Sequence, residues 1–555
     1  MKSKEKVLRY VVYMIPILHF IFGANFWLTH KITSMEGKTL PIYVRRIGSS
    51  SEMERSIFSC VVLAVSAGVI ILMWRKLMQG WKKHRIQTII IVVVSLGISM
   101  LIVPYNYGFE VDNLEIYTLM RRWIPEYWHG YYQSVIYGIC NVVFPHPMTV
   151  TVIQIAVFLA SLFYVQNRLR ELKYGKLSWL IFGCLFFPNS IYILLNPYRN
   201  DMNAIMCMWT VGVLLMDALE GKTRNAKQIL VMTAWLGWLV AYRRENIFLL
   251  IFAFALFVYN YHVSAKQMIA YGICLASVFG LLYIPQRVGM EQYYGKDYEI
   301  INHFDTLQFV LGQEDLNDSY SEFHCDIEAI EAIVPVDIVK ENGLSGFRAY
   351  NLEENGVLNQ TFASKEEQNA FLKAVRRIYL RNWKLFIQNR LITFLESNAY
   401  GQMNQMLGNA QVEALVSATI ENYHNNFAEM MYYCSDISIW NNRLKNDIAY
   451  QTKQAIDRYL DVMVKWKIWF CARLLLYFVF LVVSICEILH NKEKKWVHIT
   501  FLFSQINIIM VVAVAQPQGQ RMDYFAPVVY MMYLYCFIMM TNKIMKHNMK
   551  YIDEK

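Results

Sequence analysis

Charge is scarce in this chain: of 555 residues only 17% are Asp, Glu, Lys or Arg, against 56% hydrophobic and 15% aromatic. A soluble domain carries roughly a quarter charged residues, so the shortage excludes an ordinary water-soluble enzyme. None of the ten cysteines falls in CxxC spacing and most sit in apolar runs, so no cysteine metal site follows and most act as small buried hydrophobes. Cys325 and Cys434 lie in a polar region and are open to pairing if that region is exported. The start, MKSKEKVLRYVVYMIPILHFIFGANFWL, has a basic leader and an apolar run but lacks a small-residue cleavage site. It reads as a retained first span.

What the chain does have is long apolar runs, each near the roughly 20 residues needed to cross about 30 Å of hydrocarbon. They fall at about 9–28, 56–74, 87–104, 148–167, 177–196, 202–219, a close pair at 229–241 and 246–262, then 267–284, 466–489, 497–516 and 524–542. That gives eleven or twelve crossings, because the segment before Arg243 reads equally as one arm of a broken helix. The fold class expected is an all-α polytopic membrane protein.

The formal charge of +10 matters less than its distribution. Between Pro285 and Lys465 there are 16 Lys or Arg against 25 Asp or Glu, a net of −9 beside +19 for the remainder. The connectors alternate in character along the chain, and the basic set, from the N-terminal lysines through Arg168 and Lys222 to the lysine-rich tail, is separated by even numbers of crossings and so falls on one side. The inward preference of Lys and Arg places them and both termini in the cytoplasm. This disfavours nucleic acid as the partner. Four parts follow: a two-span extension 1–86, a transmembrane core 87–284 with an outer loop 106–133, an extracytoplasmic region 285–465, and a C-terminal segment 466–555 with three spans. Within the third part, Phe371, Val375, Ile378, Tyr379, Trp383, Phe386, Ile387 and Phe394 recur with helical spacing on one face. Such a helix suits a membrane surface or a small external domain equally.

Four outward connectors carry polar constellations. The loop 106–133 holds Glu110, Asp112, Glu115, Arg121 and Arg122, then Trp123, Tyr127, Trp128, Tyr131 and Tyr132. A carboxylate at a cavity mouth removes or orients an acceptor proton, and aromatic faces hold a sugar; an interfacial amphipathic helix is the plainer alternative. Asp112 is preferred to Glu115 because it lies nearer the end of the span. In Asn196-Pro197-Tyr198-Arg199-Asn200-Asp201, Arg199 suits phosphate oxygens and Asp201 suits orienting it or capping a helix. Arg243, Arg244 and Glu245 interrupt an apolar pair of segments, where charge is costly unless it meets a partner, a cavity or a phosphate. Arg521 and Tyr524 precede the last span, as headgroup contacts or as positional anchors. Arginine recurring on the side where positive charge is disfavoured points to a shared anionic ligand.

With FEVDNLEIYTLMRRW in an outer loop, an NPYRND turn, a YRREN turn amid apolar residues and an external region before the last spans, the chain resembles the GT-C superfamily of membrane glycosyltransferases. Within it, the similarity is to the lipid-linked-sugar group related to protein O-mannosyltransferases and aminoarabinose transferases. The resemblance implies a GT-C-like helical core, a polyprenyl-phosphate-linked sugar as donor, and a glycan, lipid or protein acceptor outside a bacterial plasma membrane. It implies Asp112 as catalytic base and Arg199 and Arg243 as donor-phosphate contacts. Arg244 and Arg521 are added by their position, with Glu110, Glu115, Asp201, Glu245 and Tyr524 in support. The chain departs from the pattern in its two extra N-terminal spans and in having no adjacent acidic pair at Asp112. No cofactor is specified by the sequence; a divalent ion near Glu110 and Asp112 stays open, without a dense set of oxygen ligands to favour it. A polymerase or ligase acting on lipid diphosphate is the rival enzyme, and a lipid-substrate transporter or flippase the rival of another class.

Overall fold

The structure, a computed structural model, describes residues 14–22, 52–102, 116, 119–120, 123–127, 130–144, 148–195, 199–341, 363–399, 447–492, 494–515 and 522–553. Among the described residues regular structure is entirely helical. Among the described residues seven helices are long and apolar enough to cross a membrane, which makes this an all-α multi-pass membrane protein. The principal helices are α1 (Glu52–Lys83), α2 (Arg85–Ile102), α3 (Tyr131–Val143), α4 (Met148–Glu171), α5 (Arg199–Glu220), α6 (Ala226–Tyr242), α7 (Ile247–Tyr259) and α8 (Ala265–Tyr294). They continue as α9 (Phe304–Leu311), α10 (Lys365–Arg381), α11 (Trp383–Ala399), α12 (Asp447–Lys465), α13 (Ile468–His490), α14 (Lys495–Ala515) and α15 (Ala526–Asp553).

The centre of the bundle is α5, whose apolar stretch is 89% buried, whereas that of α8 is 6% buried and faces lipid. Ile205, Val211 and Leu215 of α5 join Tyr530, Met531 and Tyr535 of α15 in the main core. Lipid accepts the apolar side chains left outside, such as Ile273 and Leu281 of α8. The run expected as one span at 177–196 divides into a 3-10 helix, Gly175–Phe186, and a short α-helix, Pro188–Leu195. Pro188 has no N–H to carry the ladder across the junction.

The end of the bundle where α5 finishes is held by a buried carboxylate. Asp217, with no exposure, accepts from Arg224, from the Tyr261 hydroxyl at 2.7 Å and from Arg168 at 3.4 Å, while Arg168 also pairs with Glu220. Removing one partner of such a set leaves buried charge uncompensated. Asp217→Ala is therefore expected to cost about 3–5 kcal/mol, measured as thermal unfolding in lipid nanodiscs; an unchanged midpoint would show that the cluster does not hold the helices.

At the opposite end, residues beyond α8 form a small helical unit with its own core, built from Phe304, Leu307 and Val310 of α9, Ile330 and Val334, and Phe371, Val375 and Ile378 of α10. Ser364 and Glu367 form a capping box that starts α10. The apolar face expected over residues 371–394 thus packs on this unit in its first half. It is not one helix: Asn382 leaves helical geometry, accepts from the Asn317 N–H at 2.7 Å and donates to the Ile378 carbonyl at 3.1 Å.

Two half-buried groups here titrate in opposite senses. Burial pushes Asp305 up to about 7, against the pull of Arg390, and burial followed by Arg390 and Arg376 pushes His303 down to about 4. The raised Asp305 favours the folded state below its ordinary value of 3.8, and this is lost as pH rises through about 7. The depressed His303 favours the folded state above 6.5, and this is lost as pH falls through about 4. The two slopes cancel between about 4 and 6.5. Asp305→Asn is expected to unmask stability that rises with pH across this window, and His303→Gln stability that falls, read by thermal unfolding at several pH values. Parallel pH profiles for both variants would contradict the assignment.

Candidate functional site

The helix pair α6 and α7 is interrupted because Arg243 turns to extended geometry, φ −144° and ψ 122°, followed by a 3-10 turn at Arg244–Asn246. A break inside an apolar segment frees backbone groups that must be satisfied by the protein. The Asn246 side chain does this, donating to the Leu239 carbonyl at 2.8 Å and to Asn203 Oδ1 at 2.7 Å. The turn is therefore fixed to α5, with three charged residues displayed from it.

Arg243 is tied down from several sides: it donates to Glu245 and to Asn200 Oδ1 and lies over the Tyr524 ring, 5.0 Å from its centroid. Arg244 is exposed and stacks on Tyr283, also at 5.0 Å. Arg199 opens α5 and approaches Gly130, where a Cβ would stand 3.7 Å from Arg199 Nη1. Gly130 has φ +117°, a conformation in which a side chain is strained. Its neighbour Tyr132 packs against Trp238 and Tyr242, and the Tyr242 hydroxyl donates to Gln133 Oε1 at 2.6 Å.

These residues surround one cavity of about 630 Å³, within the roughly 300–1,000 Å³ usual for ligand sites. Its lining joins Arg199, Arg243, Arg244, Glu245 and Tyr524, which the sequence singles out, with Tyr132, Tyr283, Gln286, Arg287, Lys296 and Lys365, for which it gave no role in phosphate binding. Six Arg or Lys and three Glu line it, so an anion is favoured. One wall is apolar, made by Ile247 and Phe248 of α7 and Val511, Val512 and Ala515 of α14. Ile247 is 50% exposed, so this wall continues onto surface that lipid covers. The small unit closes the far side through Glu299, Asn302, Gln368 and Asn369. Guanidinium forks, tyrosine faces and an apolar wall are thereby held around one cavity, groups suited respectively to an anion, a flat ring face and an alkyl chain.

Among the other expected residues, Asp201 is fully buried in the first turn of α5, close enough for its charge, like that of Arg199, to act on the Tyr242 hydroxyl, and does not line the cavity. Asp112, Glu110, Glu115, Arg121, Arg122, Trp128, Arg521 and Cys434 lie outside the described residues. The aromatic cluster of the loop is divided. Trp123 is buried in the core between α1 and α3, Tyr127 stacks on Tyr293 at 5.7 Å, and of the four described members of the cluster Tyr132 lines the cavity. Among the described residues no group of three His, Cys, Asp or Glu side chains is arranged to hold a metal ion.

The loop is held to α8 by Gln286, which donates to the Tyr127 carbonyl and accepts from the Tyr131 N–H. α8 continues to Tyr294, beyond the boundary expected at residue 285, because Pro285 interrupts its ladder without ending it. Next to this irregularity the Leu282 carbonyl accepts from the Tyr132 hydroxyl at 2.6 Å. Further along, a Cβ at Gly289 would overlap the Tyr127 ring. Gly289→Ala is accordingly expected to lower stability by about 1–3 kcal/mol, whereas Gly280→Ala in the same helix meets open space and is expected to be neutral or stabilising. Equal thermal unfolding midpoints for the two variants would remove the brace from the account.

No protein family, curated protein or solved structure matches the chain.

Proposed function

We propose that this protein is a membrane glycosyltransferase that moves a sugar from a polyprenyl-phosphate donor to an acceptor hydroxyl outside a bacterial plasma membrane, in assembly of a cell-envelope glycan or glycoconjugate. The observation that carries this reading is the convergence of Arg199, Arg243 and Arg244 on one cavity with an apolar, lipid-adjoining wall. The basic connectors, recurring at every second connection, support an orientation with both termini inside.

The donor enters from the bilayer with its chain along Ile247 and Val511 and its phosphate among the arginines. Asp112 takes the proton of the acceptor hydroxyl as that oxygen bonds to the anomeric carbon. The bond from that carbon to the phosphate oxygen breaks, and polyprenyl phosphate leaves with the electron pair. The arginines favour the charge that grows on the leaving phosphate, where prearranged donors contribute most. Phosphate departs without a carboxylic acid to protonate it, so a second catalytic carboxylate is not needed. Incubating the full-length protein in nanodiscs with a labelled polyprenyl-phosphate sugar and a mixed envelope-glycan acceptor is expected to release polyprenyl phosphate and label the acceptor. Failure to bind the donor would reject the reading; exchange of intact donor between leaflets without sugar release would favour a flippase.

A further inference from the structure

The carboxylates of the cavity are matched by cations. Glu245 pairs with Arg243, Glu291 lies 3.9 Å from Lys365, and Glu299 and Glu291 both act on Arg287. Two lining cations, Arg244 and Lys296, form no ion pair with a carboxylate among the described residues. They belong to different parts of the molecule. Arg244 rises from the broken helix pair, while Lys296 follows Gly295, where α8 passes into the small unit. The Lys296 ammonium donates to Asn369 Oδ1, which leaves donors over, and Asn302 and Gln368 stand around the same side of the cavity.

A sugar joined to a lipid through one phosphate is a diester with a single negative charge, which the arginines of the broken helix already answer. Covering this water-accessible ammonium with a neutral sugar removes water from it without supplying a charge partner. We infer that the small-unit side of the cavity is a second anion site, centred on Lys296, that receives a carboxylate or phosphate ester carried by the saccharide. Amide side chains beside a cation suit hydroxyls next to an acid group. The inference extends the glycosyltransferase reading by giving its substrate class, an acidic saccharide, with the acid on either the donor sugar or the acceptor.

The test uses full-length protein in nanodiscs of zwitterionic lipid, with farnesyl phosphate, trigalacturonate and maltotriose as probes. Trigalacturonate is expected to bind about tenfold more tightly than maltotriose. Lys296→Gln should abolish most of that preference and Lys296→Arg keep it, while farnesyl phosphate binds all three proteins alike. Equal binding of the two saccharides, or a preference that survives Lys296→Gln, overturns the inference. Loss of farnesyl phosphate binding in the parent protein, with the acid preference intact, rejects the lipid-phosphate reading and leaves the second site standing. Farnesyl phosphoglucuronate and farnesyl phosphoglucose then separate the sources. Selective weakening of the first by Lys296→Gln assigns the acid to the donor; weakening of trigalacturonate alone, in protein saturated with farnesyl phosphate, assigns it to the acceptor.

Discussion

Asp112→Asn is expected to lower sugar transfer by about 10²–10⁴-fold while leaving donor affinity nearly unchanged. An acceptor hydroxyl is a poor nucleophile until its proton is removed, and an amide in place of the carboxylate keeps the shape but does not accept that proton. The effect therefore belongs to turnover and not to KM. Asp112 lies outside the described residues, but the same connector supplies Gly130, which lines the cavity, and is held by Gln286 through Tyr127 and Tyr131. Retained turnover in Asp112→Asn removes that residue from the base role. Glu115→Gln is expected to have a much smaller effect, and a reversed order of the two would transfer the role to Glu115.

Arg243→Gln is expected to reduce transfer by about 10²–10³-fold, the loss found when one preset donor to a developing oxyanion is removed. This arginine also neutralises Glu245 and bonds Asn200, so the substitution has a structural cost that must be separated from the chemical one. Glu245→Gln in the same chain relieves the uncompensated carboxylate. The double variant is expected to regain thermal stability without regaining transfer. Recovery of both together would make Arg243 a brace for the helix break and not a phosphate contact. Arg243→Lys is not a conservative control, because an ammonium does not reproduce the fork that engages Asn200 and Glu245 together.

The membrane class and the break at Arg243 were legible because both depend on local composition: long apolar runs require lipid, and three charges inside one require a turn. Convergence on one cavity was expected of Asp112 and the arginine-bearing turns; Asp112 and Arg521 lie outside the described residues, and of the others Arg199, Arg243, Arg244 and Tyr524 line one cavity. The contributions of Arg287, Lys296 and Lys365 were missed: residues after Pro285 read as the start of a connector, whereas α8 continues and brings Arg287 to the cavity with Lys296 just past its end, and Lys365 comes from the first turn of α10. Trp123 and Tyr127 were expected among sugar-binding aromatics, yet both are packed in the interior. An aromatic cluster has the same composition whether it binds a ligand or fills a core, and only the tertiary contacts separate the two. Asp217 was hidden for a similar reason: in the chain it is one acid at the end of an apolar run, and its partners Arg168, Arg224 and Tyr261 are distant or ordinary in sequence.

The most direct test of a lipid-phosphate site is an experimental structure of the full-length protein in nanodiscs saturated with undecaprenyl phosphate. The expected result is phosphate within hydrogen-bonding reach, about 3 Å, of Arg199, Arg243 or Arg244, with the chain leaving along Ile247 and Val511 toward the bilayer. A lipid phosphate bound on another face of the bundle, with the arginine cavity filled only by water, would contradict it.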